Sequence, residues 1–227
     1  MEALHGKFGK WENMLKLSLN KKQLNLLFLG AHCDDIEIGC GATILKFKED
    51  FKNNLTIKWI VFTSDKIRIK EAKKSAESFL SGVNKEIIIL NYKDGFLPAK
   101  WEEIKNYFER IKLKFDPDLI FTHYKNDFHQ DHRIINELTW NTYRNHLILE
   151  YEIPKYDGDL DRPNFYVPIS NSIVEEKNNI IFKSFQSQSK KNWFTPDVLK
   201  GIMRLRGMET NQRILFAEAF YSRKIIL

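Results

Sequence analysis

One stretch of this chain constrains its fold more than any other. Residues 24–31, LNLLFLGA, form a largely apolar run that is followed at once by His32, Cys33, Asp34 and Asp35. An apolar run that ends in this way is typical of a buried strand in an α/β sheet, and such folds carry their chemistry at the carboxyl ends of the strands. An imidazole and two carboxylates are costly to desolvate unless they bind something. The stretch therefore predicts a functional site, with His32 and Asp35 as metal ligands and Asp34 as a base beside the metal.

Strand-like and helical patterns alternate after this stretch. Strand-like runs lie at 55–64, at 86–90 and within 116–123, and helical patterns extend to about residue 50 and then cover 67–82, 99–115 and 131–144. The helix over 67–82 is expected to end at Gly82 and a later one at Gly207, because glycine is common just beyond a helix. Late strands are expected in NFYVPIS and AEAFYSRKIIL. The alternation predicts an α/β fold with a mostly parallel sheet and helices on both faces.

Length and composition indicate one globular unit. The chain has 227 residues, 43% of them hydrophobic, and contains no internal repeat, so we expect a single domain over residues 1–227. No window approaches the roughly 18 continuous apolar residues of a membrane span, and the N-terminus is too broken by charge for a secretory signal. The two cysteines, Cys33 and Cys40, lie in the candidate site rather than in a disulfide framework. A reducing, cytoplasmic setting is therefore expected.

Residues 1–22 are predicted to form a partly helical extension, because Phe8, Trp11, Leu15 and Leu19 recur at helical spacing. We expect this extension to pack on the domain or on a neighbouring subunit, which leaves a homo-oligomer open. The net charge of +6 favours anionic partners in general. The lysines are scattered rather than grouped in a block, so nucleic acid is not an expected partner.

A second polar cluster follows the fourth predicted strand. The segment FHQDH offers His129, Asp131 and His132 at the same edge of the sheet as the first cluster. A catalytic zinc site uses three protein ligands and leaves a position open for water. If the two clusters meet, His32, Asp35 and His132 make a site of two histidines and one carboxylate.

Three neighbouring side chains would remain to act on a substrate. Zinc lowers the pKa of bound water to about 7, and Asp34 is placed to take up the proton. His129 is expected to stabilise an oxyanion, and Asp131 is expected to orient the His129 ring. Iron in place of zinc stays open for such a ligand set.

Each motif also has a purely structural interpretation. Asp commonly caps helices, so H-x-D-D by itself is compatible with a helix start, and H-x-D-H by itself is compatible with a surface loop. Their joint occurrence after two strands favours a site. The pair Gly39 and Gly41 has half of a dinucleotide fingerprint but lacks its third glycine, since Ile44 stands there, and close packing at the helix start explains the pair. Cys33 as a thiolate ligand is the less favoured alternative.

Three further residues are candidates for contact with a substrate. Arg68, with Glu71 one turn later, is compatible with a surface ion pair and equally with an anion-binding side chain near the mouth of the site. Tyr124 and Asp127 lie in the loop before His129 and are expected to face the substrate.

At these residues the chain resembles the PIG-L (LmbE-like) family of zinc-dependent sugar N-deacetylases. The family motif A-H-P-D-D, followed by G-C-G-G-T, is matched by A-H-C-D-D at residues 31–35 and by G-C-G-A-T at residues 39–43. The second motif, H-x-D-H, is matched by H-Q-D-H at residues 129–132. The R-x-x-E helix and the late S-Q are matched by Arg68 with Glu71 and by Ser187 with Gln188.

The resemblance implies a Rossmann-like three-layer sandwich in which His32, Asp35 and His132 bind zinc and Asp34 is the general base. It also implies that the residue at His129 helps to stabilise the tetrahedral oxyanion and that the arginine at position 68 lies near the substrate.

Two positions depart from the family pattern. Cys33 replaces the proline of A-H-P-D-D, which loosens the turn that holds the ligands. Phe185 stands where many members carry a histidine before S-Q, which alters a substrate contact.

The expected reaction is removal of an N-acetyl group from an amino sugar that is nucleotide-linked, lipid-linked or glycosidic. The expected context is the biosynthesis of bacterial glycans or natural-product sugars. Two alternatives remain: a metal-dependent hydrolase of another bond, such as a phosphoester, and a non-catalytic nucleotide-binding module, which would need no metal.

Overall fold

The computed structural model describes residues 17–19, 21–210 and 214–226. The amphipathic segment predicted over 1–22 falls mostly outside these ranges. The described elements are, in chain order, β1 (Leu24–Gly30), α1 (Asp35–Phe51), β2 (Leu55–Thr63), α2 (Arg68–Phe79), β3 (Asn84–Tyr92), α3 (Trp101–Lys114), β4 (Leu119–His123), α4 (Gln130–Thr142), β5 (Leu147–Tyr151), β6 (Phe165–Ile169), α5 (Asn171–Ser184), α6 (Pro196–Glu209) and β7 (Phe216–Tyr221).

The strands form one mixed sheet in the order β3-β2-β1-β4-β5-β7-β6. The first five strands pair in parallel, whereas β7 runs antiparallel to both β5 and β6. The predicted mostly parallel sheet is therefore confirmed. Because β1 and β4 are parallel neighbours, the residues that follow them emerge at the same edge of the sheet.

Helices cover both faces of the sheet and complete a three-layer α/β fold. Successive residues of β1 point to opposite faces, so Leu26 and Phe28 enter one core while Leu27 and Leu29 enter the other. The first core lies under α1, α2, α5 and α6, and the second lies under α3 and α4. Within the described ranges, no helix is long and apolar enough to cross a membrane.

Both helix ends that were predicted from glycine are wrong. The helix predicted over 67–82 ends at Phe79, and Gly82 lies in the following turn with φ of 79°. The helix expected to end at Gly207 continues to Glu209. A Cβ atom at Gly207 would lie 2.4 Å from the carbonyl oxygen of Leu215, so this glycine allows the chain that enters β7 to approach α6.

A buried ion pair contacts the backbone of α1 near its first turn. The Glu218 carboxylate accepts hydrogen bonds from the backbone N–H groups of Ala42 and Thr43 at 2.9 and 2.7 Å. The Lys177 ammonium donates to the carbonyl of Ile38 at 2.6 Å and pairs with Glu218 at 2.7 Å. The pair therefore links α1 to α5 and to β7.

Candidate active site

The two polar clusters meet at the edge of the sheet where β1 and β4 end. His32 and Asp35 lie in the turn from β1 into α1, and His132 lies in the first turn of α4. His32 Nδ1 lies 3.0 Å from His132 Nε2, and Asp35 Oδ2 lies 3.3 and 3.5 Å from those two nitrogens. Donor atoms about 2.0–2.1 Å from a tetrahedral zinc ion are separated by roughly 3.4 Å. These three side chains thus have the spacing of a metal-ligand set.

The other nitrogen of each of these histidines contacts a carboxylate. His132 Nδ1 lies 2.8 Å from Asp127 Oδ2. His32 Nε2 lies 3.0 Å from Asp94 Oδ1 and 3.3 Å from Asp131 Oδ2. A carboxylate behind a histidine fixes its tautomer and turns the remaining lone pair toward a metal. The donor set and its surroundings therefore fit a divalent metal ion.

The structure places the Asp131 carboxylate on His32 and not on His129, which differs from the sequence-based expectation. Asp131 is fully buried and accepts hydrogen bonds from the N–H groups of Gly95 and Leu97 at 2.7 and 3.0 Å. The loop after β3 thus positions Asp131, and the sequence around H-x-D-H carries no signal for this long-range contact.

His129 lies beside the three candidate ligands as the N-cap of α4. Its Nδ1 accepts a hydrogen bond from the backbone N–H of Asp131 at 3.2 Å, so its Nε2 remains for a substrate. The His129 ring centroid lies 4.7 Å from that of His32 and 4.7 Å from that of His132. Burial, followed by the charges of the other two imidazoles, lowers the pKa of His129.

Asp127 and Tyr124, which were predicted to face the substrate, are both buried in the structure. Asp127 is 3% exposed and lies behind His132. Tyr124 is 6% exposed, stacks on Tyr221 with ring centroids 3.7 Å apart, and donates a hydrogen bond to Asp161 at 2.9 Å. Asp127 therefore contacts a proposed ligand, whereas the Tyr124 side chain is engaged with Tyr221 and Asp161.

Asp34 stands at the N-cap position of α1 but does not act as a cap. Among the described residues, its side chain makes no capping hydrogen bond. Instead, Asp34 Oδ1 lies 2.7 Å from an Arg68 terminal nitrogen. The helix-cap interpretation of H-x-D-D is therefore wrong, and Asp34 remains a carboxylate outside the ligand set.

Arg68 and Glu71 have separate partners rather than forming a surface pair. Arg68 points to Asp34, and its guanidinium lies 6.0 Å from the ring centroid of the buried Phe185. Glu71 accepts hydrogen bonds from the backbone N–H and the hydroxyl of Ser187 at 2.9 and 2.6 Å. This contact joins α2 to the S-Q segment and holds that segment close to Arg68.

Cys33 is not a metal ligand in this arrangement. Its thiol is buried and donates a hydrogen bond to the carbonyl of Thr63 at 3.3 Å, away from the candidate ligands. Burial, which outweighs the opposing charge of Arg68, raises the pKa of the Cys33 thiol. A neutral thiol in the place of the family proline therefore ties the turn to β2.

His123 is a site residue that sequence analysis did not single out. It ends β4, is fully buried, and stacks on His132 with ring centroids 3.9 Å apart. Its Nε2 accepts a hydrogen bond from the N–H of Ala31 at 2.9 Å and lies 3.2 Å from Asp35 Oδ2. That bond uses the Nε2 lone pair, so His123 is not counted among the proposed ligands and instead packs against His132. The sequence signal that could have identified His123 is its position at the carboxyl end of a central strand.

The fold and this site define an α/β protein with two histidines and a carboxylate gathered at the C-terminal edge of its parallel strands, beside a second carboxylate and a third imidazole. The chain belongs to the PIG-L family. The sequence model of that family, described as GlcNAc-PI de-N-acetylase, matches residues 27–143, just over half of the 227 residues.

Solved structures share the fold across most of the chain. N,N'-diacetylchitobiose deacetylase from Pyrococcus horikoshii is 22% identical with a TM-score of 0.63, over 87% of this chain and 83% of its own. The zinc-inhibited form of teicoplanin deacetylase Orf2 is 12% identical with a TM-score of 0.65, over 87% and 97%. The 4-carboxy-2-hydroxymuconate hydratase GalB from Pseudomonas putida is 15% identical with a TM-score of 0.68, over 90% and 98%. Because both deacetylases and a hydratase share it, the fold alone does not fix the reaction.

Proposed function

We propose that this chain is a metal-dependent hydrolase that removes the N-acetyl group of an amino sugar. The observation that carries the proposal is the convergence of His32, Asp35 and His132 within 3.5 Å of one another, with a carboxylate behind each imidazole. Membership of a de-N-acetylase family supports the reaction type. We propose zinc as the metal, with Fe²⁺ as the alternative.

The metal, when bound, acidifies water and polarises the acyl carbonyl. Asp34 takes up the proton of the attacking water, because it is the carboxylate of the turn that stays outside the ligand set. The Asp34 carboxylate is paired with the Arg68 guanidinium at 2.7 Å. Arg68 is the proposed substrate-binding residue next to the base.

His129 supplies an imidazole from the start of α4, whereas Asp34 lies at the start of α1. Its Nδ1 is held by the Asp131 backbone, so Nε2 is the atom that meets the oxyanion developing on the acyl group. A protonated Asp34 or His129 then gives a proton to the departing amine, and the two remain alternatives.

The family description and the deacetylases among the neighbours support an N-acetylated amino sugar as the substrate class. The family description names a GlcNAc conjugate, and two neighbours are deacetylases of N,N'-diacetylchitobiose and of teicoplanin. Exposed aromatic side chains lie on three loops that also carry site residues or their partners, at Phe96, Phe128 and Tyr156. Such rings suit the apolar face of a sugar or of its carrier. The exposed Asp94 beside His32 replaces Tyr124 and Asp127 as the proposed polar contact.

Acetate release tests this function. The purified protein, loaded with Zn²⁺ or anaerobically with Fe²⁺, is incubated with N-acetylglucosamine, diacetylchitobiose, UDP-N-acetylglucosamine and a GlcNAc-inositol conjugate. We expect metal-dependent release of acetate from at least one of these, abolished by a chelator. Release of phosphate without acetate would support the phosphoester alternative, and activity that persists in the metal-free protein would contradict the proposed mechanism.

Two further properties belong to the proposal. Both cysteines are buried and free, which fits a reducing compartment such as the cytoplasm. The working partner is a small N-acetylated molecule rather than nucleic acid. A measurement of the molar mass in solution tests whether copies of the chain associate.

A further inference from the structure

A buried lysine from outside the family-matched region reaches the rear of the candidate metal site. Lys155 lies in the loop between β5 and β6, beyond residues 27–143. Its Nζ lies 2.9 Å from Asp127 Oδ2, the oxygen that also contacts His132 Nδ1 at 2.8 Å. The side chains of Lys155 and Asp127 are 10% and 3% exposed. One carboxylate oxygen thus joins a lysine ammonium to a proposed metal ligand.

The same loop fastens the segment that carries the site. Lys155 Nζ also lies 2.5 Å from Asp159 Oδ2, which accepts a hydrogen bond from the backbone N–H of Phe128 at 2.7 Å. Asp127 Oδ1 accepts from the backbone N–H of His129 at 2.8 Å. Lys155 therefore sits at the centre of contacts that fix the three residues before the first turn of α4.

Asp127 has few hydrogen-bond donors besides the lysine. Its buried carboxylate contacts the Lys155 ammonium, His132 Nδ1 and the backbone N–H of His129. A buried carboxylate with too few donors turns toward other partners or water. Without Lys155, only the His129 N–H and His132 would hold the Asp127 side chain among the contacts described.

We infer that Lys155 is a positioning residue that sets the metal affinity of the site by holding Asp127 against His132. This inference rests on the proposed function. It assigns a role in metal binding to the loop between β5 and β6, which lies outside the motifs that define the family. Lys155 acts through Asp127 and contacts neither the metal nor the substrate.

A charge-balanced double variant tests the inference. Lys155→Met leaves two buried carboxylates without their cation, so it is combined with Asp159→Asn to remove one positive and one negative charge. The matched control is Lys200→Met with Glu175→Gln, which removes an exposed pair at 2.6 Å between α5 and α6. Zinc dissociation constants are measured by competition with a chromophoric chelator, and the ligand field is followed in the absorption spectrum of the Co²⁺-loaded protein.

We expect the double variant to bind zinc about tenfold more weakly, at the lower end of the usual effect of outer partners of metal ligands. Its Co²⁺ spectrum should change, while Lys155→Arg and the control pair should match the wild type. A merely structural ion pair would lower thermal stability in the metal-free protein without changing the dissociation constant. A folded double variant that binds zinc as tightly as the wild type overturns the inference.

Two other outcomes are also decisive. If the double variant does not fold, Lys155→Gln, which keeps a shorter donor, should still weaken zinc binding, and unchanged affinity there overturns the inference. If the wild type binds no metal, both this inference and the proposed function fail. If the wild type binds metal but releases no acetate, the deacetylase proposal fails while the role of Lys155 is still measured by affinity.

Discussion

His32 offers a comparison at the scale of single residues, because two carboxylates lie within 3.3 Å of its Nε2. Asp131 is fully buried and held by two backbone N–H groups, whereas the Asp94 side chain is 73% exposed. A fixed carboxylate orients an imidazole, while an exposed one exchanges its contacts with water. Asp131 is therefore the partner that we expect to orient the His32 ring, with Nδ1 toward the proposed metal position.

Asp131→Asn is expected to weaken zinc binding by about 10- to 100-fold, since the amide orients His32 less firmly. Asp94→Asn should have a smaller effect on affinity, because that carboxylate is exposed. Isothermal titration of the metal-free variants measures both. An equal or larger loss in Asp94→Asn would show that the exposed side chain is the true partner of His32.

Asp34→Asn is expected to lower kcat by about 10²- to 10⁴-fold, the usual range for a general acid–base group. Zinc should stay bound at one ion per chain, because Asp34 lies outside the ligand set. Acetate release and metal analysis on the same sample separate the two effects. Asp50→Asn, at an exposed carboxylate near the end of α1, serves as the control. Full turnover in Asp34→Asn would remove this residue from the role of base.

The convergence of His32, Asp35 and His132 was predictable, because it depends on local spacing after two strands. The three proposed ligands follow from the order of residues after two strands, because parallel neighbours bring their carboxyl ends together. The partners of Asp131 and Asp127 did not follow, since one is fixed by the loop after β3 and the other by Lys155 after β5. Such contacts join residues far apart in sequence and leave no periodic pattern.

At the scale of elements, the close packing of α1 on the sheet depends on a glycine as well as on hydrogen bonds. A Cβ atom at Gly39 would lie 2.3 Å from a ring carbon of Tyr151, whose hydroxyl donates to the Leu29 carbonyl in β1. Close packing therefore explains Gly39, as its sequence context indicated. The contact brings the first turn of α1, with Asp35, onto the sheet.

Gly39→Ala is expected to lower the free energy of unfolding by about 1–3 kcal/mol, the usual cost of an overpacked core. Gly201 in α6 is the matched control, because a Cβ atom there would meet nothing described within 4 Å. Gly201→Ala should raise the free energy of unfolding by about 0.5–1 kcal/mol. Urea denaturation of both variants measures the difference. A Gly39→Ala protein as stable as the wild type would show that α1 can move away from Tyr151.

Most elements were predictable in type and order, whereas β5 and several element ends were not. Periodic patterns predicted the strands β1 to β4 of the parallel part of the sheet, but Leu147–Tyr151 was not assigned to a strand. β3 extends beyond the predicted 86–90 in both directions, because it lies at the sheet edge and is mostly half-buried, so polar residues such as Asn84, Lys85 and Asn91 continue it. The helix ends predicted at Gly82 and Gly207 were wrong, because Gly82 lies in a turn and Gly207 allows a close approach of the chain.

At the scale of the whole molecule, the proposed ligands join segments about half the chain apart. His32 and Asp35 follow β1, His132 begins α4, and the ion pair of Lys177 and Glu218 adds α5 and β7 as supports. An unfolded chain does not hold these groups together. A metal that needs all three ligands therefore binds the folded state and stabilises it.

Zinc at a free concentration about 100 times its dissociation constant should raise the free energy of unfolding by about 2.7 kcal/mol, because only the folded chain offers the complete site. Urea denaturation with and without buffered zinc measures this increase. It should vanish in His132→Gln and persist in His146→Gln, since His146 lies away from the site beside Asp116. A stabilisation that survives in His132→Gln would mean that the metal binds elsewhere. In that case the convergence of the two polar clusters would serve the fold and not a metal.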